Sequence, residues 1–275
     1  MSSFLESYKR QPKIYIDLPS PNYYPDGVLA DGQAVSLPVF GMTAADEILL
    51  KTPDALFNGD ATKQVIQSCI PTILKPGLMP TIDIDFALIA IRIATYGETL
   101  DMEVTCPECK AKSSFALNLQ AYLEKFQNRT FPDSNVIEGL KFNYEPMTYD
   151  QMTAYNLRNY TFQRQVVGLP EDWTKEQKDA HISEVMKELT ALQLEIMLEY
   201  ISSIESTNEK ETDPKSINDF IAQSDSLFYR EIKKHVEEIK KTFNNPLETV
   251  NCAECDHAFT TNVNMDYSSF FVTRS

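Results

Sequence analysis

Four of the five cysteines in this chain fall in two Cys-x-x-Cys pairs, Cys106-Pro107-Glu108-Cys109 and Cys252-Ala253-Glu254-Cys255. Two thiols three positions apart on a tight turn can hold one edge of a metal ion's coordination shell. Two such pairs supply the four sulfurs that tetrahedral Zn2+ takes, at about 2.3 Å each. With four cysteine ligands no coordination position stays open for water or substrate. The metal would fasten the fold and would not activate a nucleophile. Two other chemistries use the same residue types. One is a redox-active pair, although neither motif opens a helix behind a strand as a thioredoxin-like βαβ unit requires. The other is a pair of disulfides, and nothing in the sequence points to an oxidising compartment. The reading carried forward is one shared structural site on Cys106, Cys109, Cys252 and Cys255.

Each pair needs a stiff segment on either side to aim its sulfurs. Met102 to Thr105 runs into the first pair and Lys112 to Leu117 leaves it; Thr249 and Val250 run into the second, and Ala258 to Val263 leaves it. These are strand patterns, so both pairs sit at the tips of hairpins. Between Cys109 and Cys252 lie 142 residues, where a simple ribbon leaves roughly 15–20. The expected fold is therefore α+β and helix-rich, with small antiparallel sheets, a split four-cysteine zinc ribbon and an inserted helical hairpin lobe. The boundaries read from the sequence are an extended arm over 1–33, a mixed module over 34–160, a helical insertion over 161–245 and a closing segment over 246–275.

Within the mixed module, Ala34 to Phe40 reads as a strand with Pro38 marking an edge or bulge. Thr43 is set to cap a helix from Ala44 to Lys51, with Asp46 and Glu47 in its first turn. Asn58-Gly59-Asp60 starts a second helix carrying Val65, Ile66 and Ile70, together with the fifth cysteine, Cys69, as a buried small hydrophobe. After the proline-broken stretch 71–80, Phe86 to Ala94 is apolar nearly all round, which predicts a central buried helix ended by Gly97. Asp83 and Asp85 at its start read as caps and dipole partners, and Arg92 as the partner of a carboxylate. A helix from Leu119 to Phe126 follows the first hairpin. Residues 139–151 then repeat the pattern of 35–47, a strand followed by Met-Thr and a first-turn acid or amide, with Thr148 and Gln151 at capping-box spacing.

From Asp150 to Phe243 the chain reads as helical. Val185, Leu189, Leu192, Ile196 and Tyr200 recur at helical steps, and 206–216 reads as a solvated turn. Ser224 or Asp225 caps a last helix with the face Phe228, Ile232, Val236, Ile239 and Phe243. The two helices are expected to pair as an αα-hairpin or short coiled coil. Of the three histidines, His181 and His235 fall on helix faces, and His257 is a ribbon-surface residue.

Composition narrows the function classes. Forty acidic against 25 basic residues give a net charge of −15, which opposes binding to nucleic acid phosphates or anionic lipid and suits a basic partner surface. The first residues carry no apolar leader, and no run reaches the roughly 18 apolar residues of a membrane span. The expectation is a soluble chain folded in a reducing cytoplasm. No Gly-rich phosphate loop, Gly-x-Ser-x-Gly elbow or His-Glu-x-x-His is present, and no nucleophile is set beside a base. An enzyme would have to use the carboxylates at Asp83 and Asp85.

The order of these signals carries a resemblance. Tyr24-Pro25-Asp26-Gly27, a strand, Met42-Thr43 with Asp46-Glu47 and Leu49-Leu50, and Gly59 with a Cys69 helix come first. Asp83 and Asp85, Arg92 with Tyr96-Gly97, Cys106-Pro107 with Cys109, Met147-Thr148, a second Cys-x-x-Cys and a Phe-rich tail follow. The chain resembles the baseplate hub and hub-assembly proteins of T-even-type contractile-tailed bacteriophages, best over 20–160 and 248–272. The resemblance implies a non-enzymatic tail protein acting by contacts with other tail and baseplate hub proteins, without nucleic acid. It would be built in the host cytoplasm and placed in the virion tail baseplate, with Cys106, Cys109, Cys252 and Cys255 on zinc. The other class that the split ribbon admits is an adaptor in a transcription-type complex.

Overall fold

A computed structural model describes residues 9–30, 35–52, 59–127, 131–170 and 172–263. Contacts divide the chain into two units, one built from Met1–Arg129 with Asn244–Ser275 and the other from Thr130–Phe243. The fold is α+β, helix-rich with small antiparallel sheets.

The first unit is centred on helix α3, Thr81–Tyr96, which follows β1 (Pro12–Ile16), β2 (Leu37–Phe40), α1 (Ala44–Leu49) and α2 (Asp60–Cys69). Ile82 to Ile93 are buried on every side of α3 apart from Asp85. That all-round burial is what its composition predicts, because a helix without a polar face must be covered on all faces. Gly97, at φ +93°, closes it, and β1 pairs antiparallel with β2. The described part of the N-terminal arm, residues 9–30, is integral to this unit: Leu29 bridges Ile73, and the amides of Leu74 and Lys75 donate to the Val28 carbonyl. The expected strand start at Ala34 lies outside the described residues, as do 1–8 and the aromatic tail from 264 onward.

Two hairpins complete the unit. β3 (Thr99–Thr105) pairs in register with β4 (Lys112–Asn118), and β9 (Leu247–Asn251) with β10 (Ala258–Asn262). Helix α4, Leu119–Gln127, sits between the first hairpin and the inserted unit in sequence. Its Tyr122 hydroxyl donates to the Pro246 carbonyl at 2.8 Å in a buried contact, and Lys125 pairs with Glu248. The residues that leave this unit and the residues that re-enter it are thus tied together by direct bonds.

The inserted unit departs from the sequence expectation. It contains a four-stranded sheet in the order β5 (Ser134–Ile137), β6 (Leu140–Tyr144), β7 (Ile201–Glu205), β8 (Lys210–Glu211). Helix α5 is Tyr149–Val167 and helix α6 is Lys175–Leu198. The helical stripe read over 175–205 ends at Leu198, and Ile201 and Ile204 belong to β7. Ile-Ser-Ser-Ile satisfies a helical spacing equally well, and pairing with β6 decides in favour of the strand. The stretch 206–216 is likewise more than a turn: β8 crosses it, and Asp213 caps helix α7, Pro214–Gln223, with proline at a first-turn position. Because β7 pairs with β6, the inserted unit begins at 130, and a boundary at 160/161 falls inside α5.

The helix pairing also differs. The partner of α6 is α5. Helix α8, Ser226–Thr242, buries Phe228, Ile232, Val236 and Ile239 as read, and it meets the sheet and, through Phe228 against Phe220, helix α7. Phe228 meets Phe142 edge-on at 5.8 Å, and His235 lies 4.6 Å from the Tyr144 ring. Between α6 and α8 runs a groove of about 1030 Å³ lined by Met186, Leu194, Met197, Tyr229 and Lys233.

Both strand-to-helix repeats take the expected form. Thr43 and Asp46 close a capping box at α1, and Thr148 and Gln151 close one at α5. We expect Thr148→Ala to cost about 1 kcal/mol, read as a fall of about 2–4 °C in the thermal midpoint by circular dichroism. Thr43→Ala should cost more, because its partner Asp46 is 7% exposed and also accepts from Ser68 at 3.1 Å.

Candidate metal centre

Each Cys-x-x-Cys pair is the tip of one hairpin of the first unit, and the two tips are built alike. In the first, the Cys106 amide donates to the Ala111 carbonyl and the Lys110 amide returns to the Cys106 carbonyl, at 2.9 and 3.1 Å. In the second, the Cys252 amide donates to the His257 carbonyl and the Asp256 amide to the Cys252 carbonyl, both at 2.9 Å. Lys110 and Asp256 occupy the same left-handed conformation, at φ 61° and 58°. That residue turns the chain back into the returning strand while leaving amides directed at sulfur. Strand alternation then places Val104 and Cys106, and Val250 and Cys252, on the inward side. Cys109 and Cys255 are at the surface.

The four sulfurs form one cluster, all within 4.8 Å of one another. Cys106 Sγ lies 3.7 Å from Cys255 Sγ, and Cys109 Sγ lies 3.6 Å from Cys252 Sγ. A regular tetrahedron with bonds of about 2.3 Å has edges of about 3.8 Å. A disulfide would bring its two sulfurs to about 2.05 Å. These close contacts run between the two hairpins, which is what a shared site requires and what two separate redox pairs would not give. A metal ion could be held here by Cys106, Cys109, Cys252 and Cys255.

The backbone prepares the Cys252 sulfur for negative charge. The amides of Cys255 and Glu254 point at the Cys252 sulfur and pull its pKa down to about 7. The Ala111 amide serves Cys109 and the His257 amide serves Cys255, where the crowding of the neighbouring cysteine sulfurs outweighs the amide and pushes both thiols up. Such N–H···S contacts orient metal-bound thiolates and spread their charge. His257 contributes only its backbone; its ring is exposed and lies over Phe259. Among the described residues this is the one group of three or more Cys, His, Asp or Glu positioned to hold a metal ion.

The remaining candidates are dispersed. Asp83 lies in the first turn of α3, fully buried, and its carboxylate accepts from the Ser20 amide at 3.2 Å, the Ser20 hydroxyl and the Tyr24 hydroxyl at 2.6 Å. Burial raises its pKa to about 6, with the Ser20 and Tyr24 bonds acting against that rise. It is a clasp for residues 18–24 and does not cap its own helix. Asp85, two positions on, is only partly buried. Arg92 extends over the Tyr96 ring at 5.5 Å, and Tyr96 donates to Glu47 at 3.0 Å. Cys69 is buried, and burial pushes its thiol up to about 12. His181 meets Trp173, and His235 contacts the Pro132 carbonyl at 3.2 Å.

Sequence reasoning missed the Asp83 clasp and the Tyr122–Pro246 bond. Both join segments too distant in the chain for any local pattern to reveal. The nearest signal was a tyrosine in a proline-rich stretch, since a buried tyrosine needs a partner for its hydroxyl.

No helix among the described residues is long and apolar enough to cross a membrane. A family model described as T4 bacteriophage base plate protein matches residues 40–272. No curated protein and no solved structure matches the chain.

Proposed function

Since the chain belongs to the T4 bacteriophage base plate protein family, we propose that it serves the baseplate hub, as a built-in part or as an assembly factor for it. It acts by contacts with other tail and hub proteins and not by catalysis. The observation that carries this reading is the span of the match, which takes in both hairpins and the whole inserted unit. It is made in the host cytoplasm during assembly and acts at the virion tail.

In the same reading the four cysteines hold one structural Zn2+. The donor set supports this, because four thiolates at tetrahedral edge lengths suit zinc and leave no position for a substrate. Iron accepts the same sulfurs, so the metal itself must be measured. The ion would fasten β3–β4 to β9–β10 across the entry and exit of the inserted unit.

The test combines proteomics of purified virions and of hub precursors with metal analysis of the recombinant chain. Peptides in the finished particle would identify a built-in part. Peptides in the precursor alone would identify an assembly factor. Absence from both would overturn the hub assignment. One zinc per chain is expected, and none would overturn the metal assignment.

A further inference from the structure

Helix α5 has two apolar faces. Tyr155 is buried and donates to Glu195 of α6, and the half-buried Phe162 and Val166, seven and eleven positions on, share its face. On the opposite side Leu157, Tyr160 and Val167 are 39%, 44% and 86% exposed. With Arg164 they form a continuous stripe at steps of three, four and three, the spacing of a coiled-coil seam. A helix with a second apolar face calls for a second cover.

The composition of the helix is as informative as its spacing. Residues 151–167 contain no Asp or Glu, in a chain whose net charge is −15. The outer side of α6, by contrast, carries Glu176, Asp179, Glu184 and Glu188. Depletion of acids together with exposed Tyr, Leu and Arg is the composition of a protein–protein interface and not of a solvated face.

The order of the stripe indicates what covers it. The steps 3-4-3 read the same in both directions. An antiparallel second helix of identical sequence therefore sets Leu157 against Val167 and Tyr160 against Arg164, twice over. Arg164 already lies 5.9 Å over the Tyr160 ring of its own helix, and the same guanidinium–ring attraction is available across the pair. Such self-matching is what a two-fold interface requires. Two chains of this charge repel, and an acid-free face is where they approach at least electrostatic cost.

We propose that α5 is the interface of a two-fold dimer, with a second copy of this chain packed antiparallel on Leu157, Tyr160, Arg164 and Val167. The dimer joins two chains through their inserted units and does not depend on the metal assignment. The stripe spans about 15 Å of helix, so the association is weak and strengthens when salt screens the net repulsion.

The mass of the full chain in solution tests this, by sedimentation or light scattering at about 100 µM, in low and high salt. Twice the 31.3 kDa chain mass is expected, more completely at high salt. Leu157→Glu combined with Val167→Glu places acids against each other and should weaken the dimer at least tenfold. Both positions are exposed, so helix content by circular dichroism should be unchanged. Tyr160→Arg should weaken the dimer by setting two guanidinium groups against each other. Adding Arg164→Glu should restore it, because each new guanidinium at position 160 then meets a new carboxylate at position 164 of the other chain. A monomeric wild type, a dimer indifferent to the two glutamates, or failure of the charge pair to restore association would each overturn the proposal.

Discussion

Replacing Cys252 with serine is expected to release the proposed metal and destabilise the hairpin-bearing unit while the inserted unit keeps its stability. Cys252 is the strongest choice because its sulfur is buried, receives amides from Cys255 and Glu254, and lies 3.6 Å from Cys109 across the hairpins. Structural zinc sites contribute on the order of 10–16 kcal/mol of apparent binding energy near pH 7, and losing one ligand removes a large share of that. With a loss of about 4–5 kcal/mol, the midpoint of the affected unit falls by about 10 °C or more. The inserted unit has its own core, in which Phe142, Tyr144, Ile232 and Val236 are at most 2% exposed. A wild-type melt that is single should therefore split into two transitions in Cys252→Ser, and chelation of the wild type should produce the same curve. Cys69→Ser keeps the metal and serves as the control. If Cys252→Ser retained a full equivalent of metal and the wild-type melt, the shared site would be wrong.

The second large effect belongs to Asp83. Asp83→Ala leaves the Ser20 amide and hydroxyl and the Tyr24 hydroxyl without their acceptor, and leaves a void beneath the N-terminal segment. Unsatisfied buried donors and a cavity together cost about 2–4 kcal/mol, read as a shifted denaturant midpoint and early proteolysis near residues 18–24. Asp83→Asn keeps the shape and an acceptor for the Ser20 amide, and both hydroxyls can turn to accept from its amide group. It should be far milder.

The same pair isolates a pH effect. Asp83 titrates near 6 when folded, above its ordinary 3.8, so between those values the folded chain holds the proton more tightly than the unfolded chain. Its contribution to stability is therefore fully present below about pH 4 and is lost as pH rises to 6, by about 3 kcal/mol in all. The difference between wild type and Asp83→Asn should follow that curve, with the asparagine variant gaining relative to wild type as pH rises. A difference that stays flat from pH 4 to 7 would show that the carboxyl is not held this way.

The parts of this architecture that the sequence revealed are those governed by neighbours. Thr43 with Asp46, Thr148 with Gln151, the hairpins around each Cys-x-x-Cys and the all-round apolar α3 each announce themselves within about fifteen residues. The four cysteines were legible at long range only because metal chemistry demands that two distant pairs meet. The rest was hidden for physical reasons. Ile201 and Ile204 suit a helix or a strand, and Ser203 becomes a strand residue by taking the Asn143 side-chain amide, 60 positions away, at 2.9 Å. The pairing of α6 depended on which of two apolar helices reached it, and both α5 and α8 offered suitable faces. Asp83 looked like a cap because carboxylates at helix starts usually are. Only the arrival of Ser20 and Tyr24 gave it another task.

The position of the two hairpin tips also sets a timetable for the ribosome. Cys109 emerges 143 residues ahead of Cys252, and Cys106 146, which at about 5–20 residues per second is an interval of roughly 7–30 s. Throughout it the nascent chain carries one half of a chelate, two thiols that cannot close a tetrahedron alone. The inserted unit is synthesised inside that interval and can fold before the second half appears. At the proposed zinc site, ion capture would thus be a late event of the chain's maturation, and the supply of free zinc would bear on newly made copies more than on finished ones.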